Sequence, residues 1–249
     1  MPGHTRAVRV ALLSDLHGNE VAVAAVRREL AHTAPDVVVC LGDVATLGAR
    51  PREVLDAVAD LGGPCILGNH DEFLLRPEKV HEYSEAPVIA EAVAWCRAEL
   101  RAADFDRVAT WIDGLELPLA AGVTLRVFHG SPRSNTEDLL ATLPDDALAD
   151  ALATGRARVM AGGHTHLPLT RHHRGDLLVN PGSVGLPFLE HVARRPPTIL
   201  DHAQYAVIDA APGRVDVSLR RVALDRRALR AQAESAAHPL RDYLAAQYA

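Results

Sequence analysis

The chain of 249 residues reads as an α/β fold built on a parallel or mixed sheet. Three observations carry that reading. Apolar, β-leaning runs alternate with helical stretches up to about residue 68, strand-like runs dominate the second half, and Gly or Pro separates most of them.

Val8 to Leu13 is a continuous apolar run that stops at Ser14-Asp15-Leu16-His17-Gly18-Asn19, as a buried strand does where it meets a loop. Glu20 to Leu30, rich in Ala and Val with charges grouped at its end, is a helix closed by Pro35-Asp36. Val37 to Leu41 is a second strand and stops at Gly42-Asp43. Pro51 opens a second helix through Asp60, Gly62-Gly63-Pro64 breaks it, and Cys65 to Leu67 is a short strand ending in Gly68-Asn69-His70-Asp71. From Glu72 to about Gly114 the pattern is helical only, with stretches at Val88 to Leu100 and Phe105 to Ile112, which marks an insertion. Strands resume at Val123 to Phe128, Ala157 to Met160, Leu177 to Val179, Tyr205 to Ile208 and Val215 to Leu219. Asp225 to Tyr248 is helical with a break at Pro239, and no internal repeat or domain boundary stands out.

The balance of 26 Lys+Arg against 32 Asp+Glu gives a net charge of -6, so no global attraction draws the chain to nucleic acid or anionic membrane. Cys40, Cys65 and Cys96 form no CxxC pair and leave an odd count, which suits a reducing compartment; the cytoplasm is expected. The polar start, Met1 to Arg9, has no apolar signal region, and no run approaches the roughly 18 apolar residues of a membrane span. Histidine is abundant, at 13 residues, and its placement carries the functional argument.

The polar clusters that interrupt the apolar runs hold metal-ligand side chains: Asp15 with His17, then Asp43, Asn69 with His70, His129, and His164 with His166. In open α/β sheets such residues converge beyond the carboxyl ends of the strands. Asp15 and His17, like His164 and His166, are two residues apart, a spacing that in an extended segment turns both side chains to one face, so that each pair serves one site. Carboxylates, imidazoles and one amide, without thiolate, select a divalent ion such as Mn, Fe, Zn or Ni. Seven candidate ligands, Asp15, His17, Asp43, Asn69, His129, His164 and His166, suit two ions, with Asp43 the central candidate for a bridge. In-line displacement at phosphorus is the reaction such a pair serves best.

Asp15-x-His17-Gly18-Asn19, Gly42-Asp43, Gly68-Asn69-His70-Asp71, His129-Gly130-Ser131-Pro132 and Gly162-Gly163-His164-Thr165-His166 together resemble the signature of the calcineurin-like metallophosphoesterases. Asn180-Pro181-Gly182-Ser183-Val184-Gly185 resembles a further segment of the small bacterial phosphodiesterase branch. The resemblance implies a four-layer αββα sandwich of two mixed sheets: one domain over residues 1–249, with a helical insertion, a candidate cap, at about 72–114 and a C-terminal helical segment at about 225–249. It implies one metal on Asp15, His17, Asp43 and His166 and a second on Asp43, Asn69, His129 and His164, with Mn expected and a bridging water or hydroxide as nucleophile. His70, a non-ligand there, protonates or stabilises the leaving oxygen, and Asp71 either orients it or has a capping role.

The protein phosphatase branch carries an Asp-Arg-Gly segment shortly after its Gly-Asp block, whereas this chain reads Gly42-Asp43-Val44-Ala45-Thr46-Leu47-Gly48. The missing arginine disfavours a dianionic phosphate and favours a small diester. Arg133 either contacts phosphate or is a surface residue. Cys40 and Cys65 read as core residues, with a redox switch as the alternative. Trp95, Phe105 and Trp111 read as core of the insertion, unless a cap turns one toward a flat leaving group. His172, His173 and His191 fit no ligand spacing and are expected at the surface. The expected partner is a small phosphoester, with neither long nucleic acid nor membrane. A phosphomonoesterase or dinucleoside polyphosphate hydrolase is the enzymatic alternative. A binding module of the same fold, as in a retromer subunit, would be marked by lost ligands, and none is lost.

Overall fold

A computed structural model describes residues 7–153, 155, 157–192 and 195–249; the first part of the polar start, residues 1–6, lies outside the described residues. Strands β1 (Val8–Leu13) and β2 (Val37–Cys40) pair in parallel, joined by helix α1 (Glu20–Thr33). Antiparallel β8 (His202–Ala211) and β9 (Arg214–Ala223) complete a four-stranded sheet in the order β2-β1-β8-β9. The second sheet has five strands, ordered β3 (Gly114–Ala120), β4 (Val123–Phe128), β5 (Val159–Ala161), β7 (Asp176–Asn180) and β6 (Leu169–His173).

The period of two along each strand builds the layers. Val10 and Leu12 of β1 point to one side, where with Val39, Ala206 and Ile208 they meet Leu125, Val127, Val159 and Val179 of the other sheet. Ala11 and Leu13 point to the opposite side, against Val23 and Val26 of α1 and Val54, Leu55 and Val58 of α2 (Pro51–Leu61). On the far face of the second sheet, Phe128, Met160 and Leu178 pack on Leu148 and Ala151 of α7 (Asp145–Ala151). Helix, sheet, sheet and helix are therefore the four layers, an αββα sandwich.

Between the sheets in sequence come α3 (Asn69–Leu75), a short 3-10 turn, α4 (Val80–Tyr83), α5 (Pro87–Glu99) and α6 (Ala102–Val108). The helical pattern ends before Gly114, which opens β3. Trp95, Phe105 and Trp111 pack against the core between the helices and the four-stranded sheet. The C-terminal segment forms α8 (Arg226–Glu234) and α9 (Arg241–Gln247), separated at Pro239 as the sequence suggests. Among the described residues, no helix is long and apolar enough to cross a membrane.

Candidate metal centre

The parallel strands deliver their first polar residues to a common edge. Asp15 and His17 follow β1, Asp43 follows β2, His129 follows β4, and His164 and His166 follow β5. Asn69 and His70 open α3. All seven candidate ligands and His70 are buried. The loops are bonded to one another: the N–H groups of Asp15, His17 and Gly18 donate to the carbonyls of Gly42, Asp43 and Val44 at 3.0, 3.0 and 2.8 Å, and Gly163 N–H donates to His129 O at 2.7 Å.

The i, i+2 argument from sequence fails in its geometry. Asp15 (φ 54°), His17 (φ 45°), His164 (φ 68°) and His166 (φ 57°) are left-handed, as is Asp43 (φ 58°), so none sits in an extended segment. Asp15 and His17 do share a cluster, with His166, but His164 joins Asp43 and His129 in another. In each cluster one ligand atom per residue lies within 4.8 Å of the others. Left-handed backbone at a non-glycine residue costs about 1–3 kcal/mol and persists where surrounding structure enforces it, commonly at functional sites.

Hydrogen bonds settle which ring nitrogens face inward. His129 Nδ1 lies 2.7 Å from the Leu41 carbonyl and His166 Nδ1 2.6 Å from that of Leu186. A carbonyl only accepts, so each Nδ1 carries the hydrogen and, in the neutral ring, Nε2 presents a lone pair. His17 Nε2 and His166 Nε2 are 3.1 Å apart, and Asp15 Oδ1, buried without a hydrogen-bond partner, is 3.3 Å from the latter. Asn69 Oδ1 lies 3.1 Å from His129 Nε2 and 3.0 Å from His164 Nδ1. Asp43 Oδ2 stands between the sets, 3.7 Å from His17 Nε2 and 3.4 Å from His129 Nε2, while its Oδ1 accepts the His70 N–H at 2.9 Å. Lone pairs packed this way repel unless a cation lies among them. Ligands at the usual 2.0–2.2 Å from a metal are separated by about 3.0–3.5 Å, which matches these spacings.

The charges interlock. Burial would lower the His129 imidazole, but the Asp43 carboxylate outweighs it and holds the ring up to about 9, so without a metal a proton on Nε2 supplies the positive charge that these lone pairs call for. Burial likewise opposes ionisation of Asp15, yet His166 and its neighbours hold the acid down to about 2. Asp71 answers the alternative left open by sequence. Its carboxylate accepts the N–H groups of Asp43 (2.7 Å), Val44 (2.9 Å) and Gly68 (3.1 Å), so it fastens the Asp43 loop to the start of α3 and does not bond to His70. Burial and the Asp43 charge push Asp71 up to about 7, with those N–H donors acting the other way. His70 keeps a buried Nδ1 with no partner, and burial pushes its ring down, opposed by Asp43.

Two glycines let carboxylates and loops close. A Cβ on Gly68 would lie 2.5 Å from Asp43 N and on Asp43 Oδ1; one on Gly163 would lie 2.8 Å from Asp15 Oδ2 and on Ser14 Oγ.

A match to the calcineurin-like phosphoesterase superfamily domain spans residues 8–207, most of this chain. The chain belongs to that superfamily. It is 26% identical over 196 residues to the uncharacterized protein MJ0912 of Methanocaldococcus jannaschii, covering 72% of this chain and 76% of that protein. In structure it resembles a metallophosphoesterase from Sphaerobacter thermophilus (TM-score 0.74, 24% identity, 98% of each chain). It also resembles the hypothetical protein PH1004 from Pyrococcus horikoshii OT3 (TM-score 0.78, 19% identity, 95% of this chain and 97% of that one). These two likenesses concern the fold. Superfamily membership and the paired Asp/His clusters point to metal-dependent phosphoester hydrolysis with divalent metal.

Several supporting residues had no role assigned from sequence. Asn180 donates to Gly163 O at 2.6 Å and Thr165 Oγ1 at 3.1 Å, and Ser183 Oγ donates to Asp15 O at 2.7 Å, so the Asn180–Gly185 segment holds the first and last ligand loops together. Asp138 Oδ1 lies 3.5 Å from His164 Nε2 and its Oδ2 lies 3.0 Å from His191 Nε2. That contact favours the His164 tautomer with its hydrogen on Nε2, so its Nδ1 presents a lone pair beside the Asn69 Oδ1 lone pairs, as two donors to one cation would. His191 is exposed as expected, but His173 is buried, 3.7 Å from Asp145. Arg133 is a surface residue whose guanidinium is bonded to Glu137 and Asp150, at 2.6 and 2.7 Å.

Proposed function

We propose that this protein is a dinuclear-metal-dependent phosphodiesterase acting on small diesters, with Mn as its metal. The observation that carries the reading is Asp43 Oδ2, placed between two lone-pair clusters that share no other carboxylate. Asp15, His17, Asp43 and His166 would hold one ion, and Asp43, Asn69, His129 and His164 the other. When bound, the ions supply charge neutralisation at the phosphoryl oxygens and a water acidic enough to attack phosphorus near neutral pH. His70, with its unpartnered Nδ1 beside that set, passes a proton to the leaving oxygen. Asp71 and the Asn180–Gly185 segment keep the loops in register, and the helices over 69–108 act as an insertion covering one side of the site. Three free cysteines support a cytoplasmic location.

The preference for a diester rests on charge. Arg133 is committed to Glu137 and Asp150, and Asp138 adds an anion beside His164. A monoester dianion meets more repulsion and less help than a diester monoanion. The test compares kcat/KM for a nitrophenyl diester and its monoester at saturating Mn, with elemental analysis of the purified protein. The diester should be the better substrate, with two ions per chain. A monoester preference of tenfold or more would move the protein to the phosphomonoesterases.

A further inference from the structure

The aromatic residue at the mouth of the centre is not one of the rings that sequence suggested. Tyr83, at the end of α4, has its ring centroid 6.1 Å from that of His70 and 5.9 Å from that of His164. It is 45% exposed, the one aromatic among the large apolar side chains left exposed in the described residues. Its position is held from behind. Buried Phe73 contacts it at 5.7 Å and His70 at 5.1 Å, and Val80, three residues earlier on α4, is buried with Phe73 and Val93. Phe188, across the centre, is stacked on His166 at 4.1 Å with an interplanar angle of 21°, so one of its faces is already taken.

We infer that Tyr83 is the substrate-positioning residue that receives the leaving group, and that the preferred substrates are phosphodiesters whose leaving alcohol carries a flat ring without negative charge. The inference rests on the diester reading above, because it places the leaving oxygen at His70. An alcohol departing toward His70 passes beside the ring only about one aromatic contact distance away. The ring should carry no negative charge because Asp138 stands beside His164, which Tyr83 also contacts, and because Arg76 and Lys79, on the adjoining turn, are already paired with Glu72. A leaving group with a further phosphate would find no free cation in that set.

The test uses methyl naphthylethyl phosphate and its saturated counterpart, methyl decahydronaphthylethyl phosphate, whose leaving alcohols have the same carbon skeleton and similar basicity but differ in flatness. With the Mn-loaded native protein, kcat/KM should favour the naphthyl ester about three- to tenfold, mainly through KM. Tyr83→Phe should keep that ratio and Tyr83→Leu should bring it close to one, at equal metal content. Equilibrium Kd values are measured in parallel for two inert phosphonates in which CH2 replaces the leaving oxygen. They should show the same order, lost in Tyr83→Leu. A ratio that survives Tyr83→Leu, in turnover or in Kd, overturns the inference. If neither ester is hydrolysed, the diester reading falls, and the phosphonate affinities alone still decide for or against Tyr83.

Discussion

Replacing Asp43 by Asn should damage the two metal sites unequally. Asp43 Oδ1 is held by the His70 N–H, so the new amide keeps its oxygen there and turns its NH2 toward His17 and His129. The set of Asn69, His129 and His164 then contains no carboxylate, whereas His17 and His166 retain Asp15. Loss of even an outer hydrogen-bond partner typically costs 10–100-fold in metal affinity, so about 100-fold, the upper end of that range, is taken for the carboxylate-free site. At a metal concentration about 1,000 times the native Kd, each site stabilises the fold by about 4.1 kcal/mol; a 100-fold weaker site contributes about 1.4. The difference of about 2.7 kcal/mol corresponds to roughly 5–11 °C in Tm for a chain of this size, and more if the first site also weakens. The assay is thermal denaturation of native and variant protein with and without Mn, with elemental analysis of both. Two tightly bound ions in Asp43→Asn, an undiminished Mn-dependent rise in Tm and undiminished turnover would refute the bridging role.

His70→Asn should keep both metals and slow diesters with alkyl leaving groups about 10²- to 10⁴-fold, while nitrophenyl diesters, whose leaving group needs no proton, suffer far less; parallel dependences of kcat/KM on leaving-group basicity would exclude proton donation. Asp71→Asn lets the amide oxygen keep the Asp43 and Gly68 N–H groups but sets its NH2 against the Val44 N–H, and should cost about 1–3 kcal/mol in urea unfolding of the metal-free protein; a change below about 0.5 would show those bonds to be idle. His238 is buried against Trp95, and burial pushes its imidazole down to about 4 against about 6.5 unfolded. Its contribution is therefore complete above about pH 6.5 and is lost as the pH falls toward 4, about 2 kcal/mol between pH 7 and pH 5. His238→Asn keeps an acceptor for the Leu240 N–H and should remove about that much of the pH dependence of the urea midpoint; an unchanged slope would show that the ring titrates normally.

The residues of the two clusters were legible because each follows an apolar run, and a strand that must be buried on both faces announces itself as such a run. The same reasoning lost β3 and β6. Gly114–Ala120 carries Glu116 and Pro118, and Leu169–His173 is mostly polar, because these strands form the two edges of the five-stranded sheet. Edge strands face solvent and tolerate charge and proline. Helix α7, short and acidic, buries only Leu148 and Ala151 and left too brief a period to read.

By itself, the sequence determined the β-α-β-α opening, the apolar strands of the second half, the superfamily and the chemistry of the donor set, since these follow from residue type and local pattern. Tertiary structure decided which donors share a cluster. His164 and His166 are two residues apart, yet left-handed turns send them to different sets, and Asp71 serves the Asp43 loop and not its neighbour His70. Tyr83 owes its place at the mouth to Val80 and Phe73 beneath it. Backbone twist and packing between distant segments set all of these, and neither quantity is a local property of the chain.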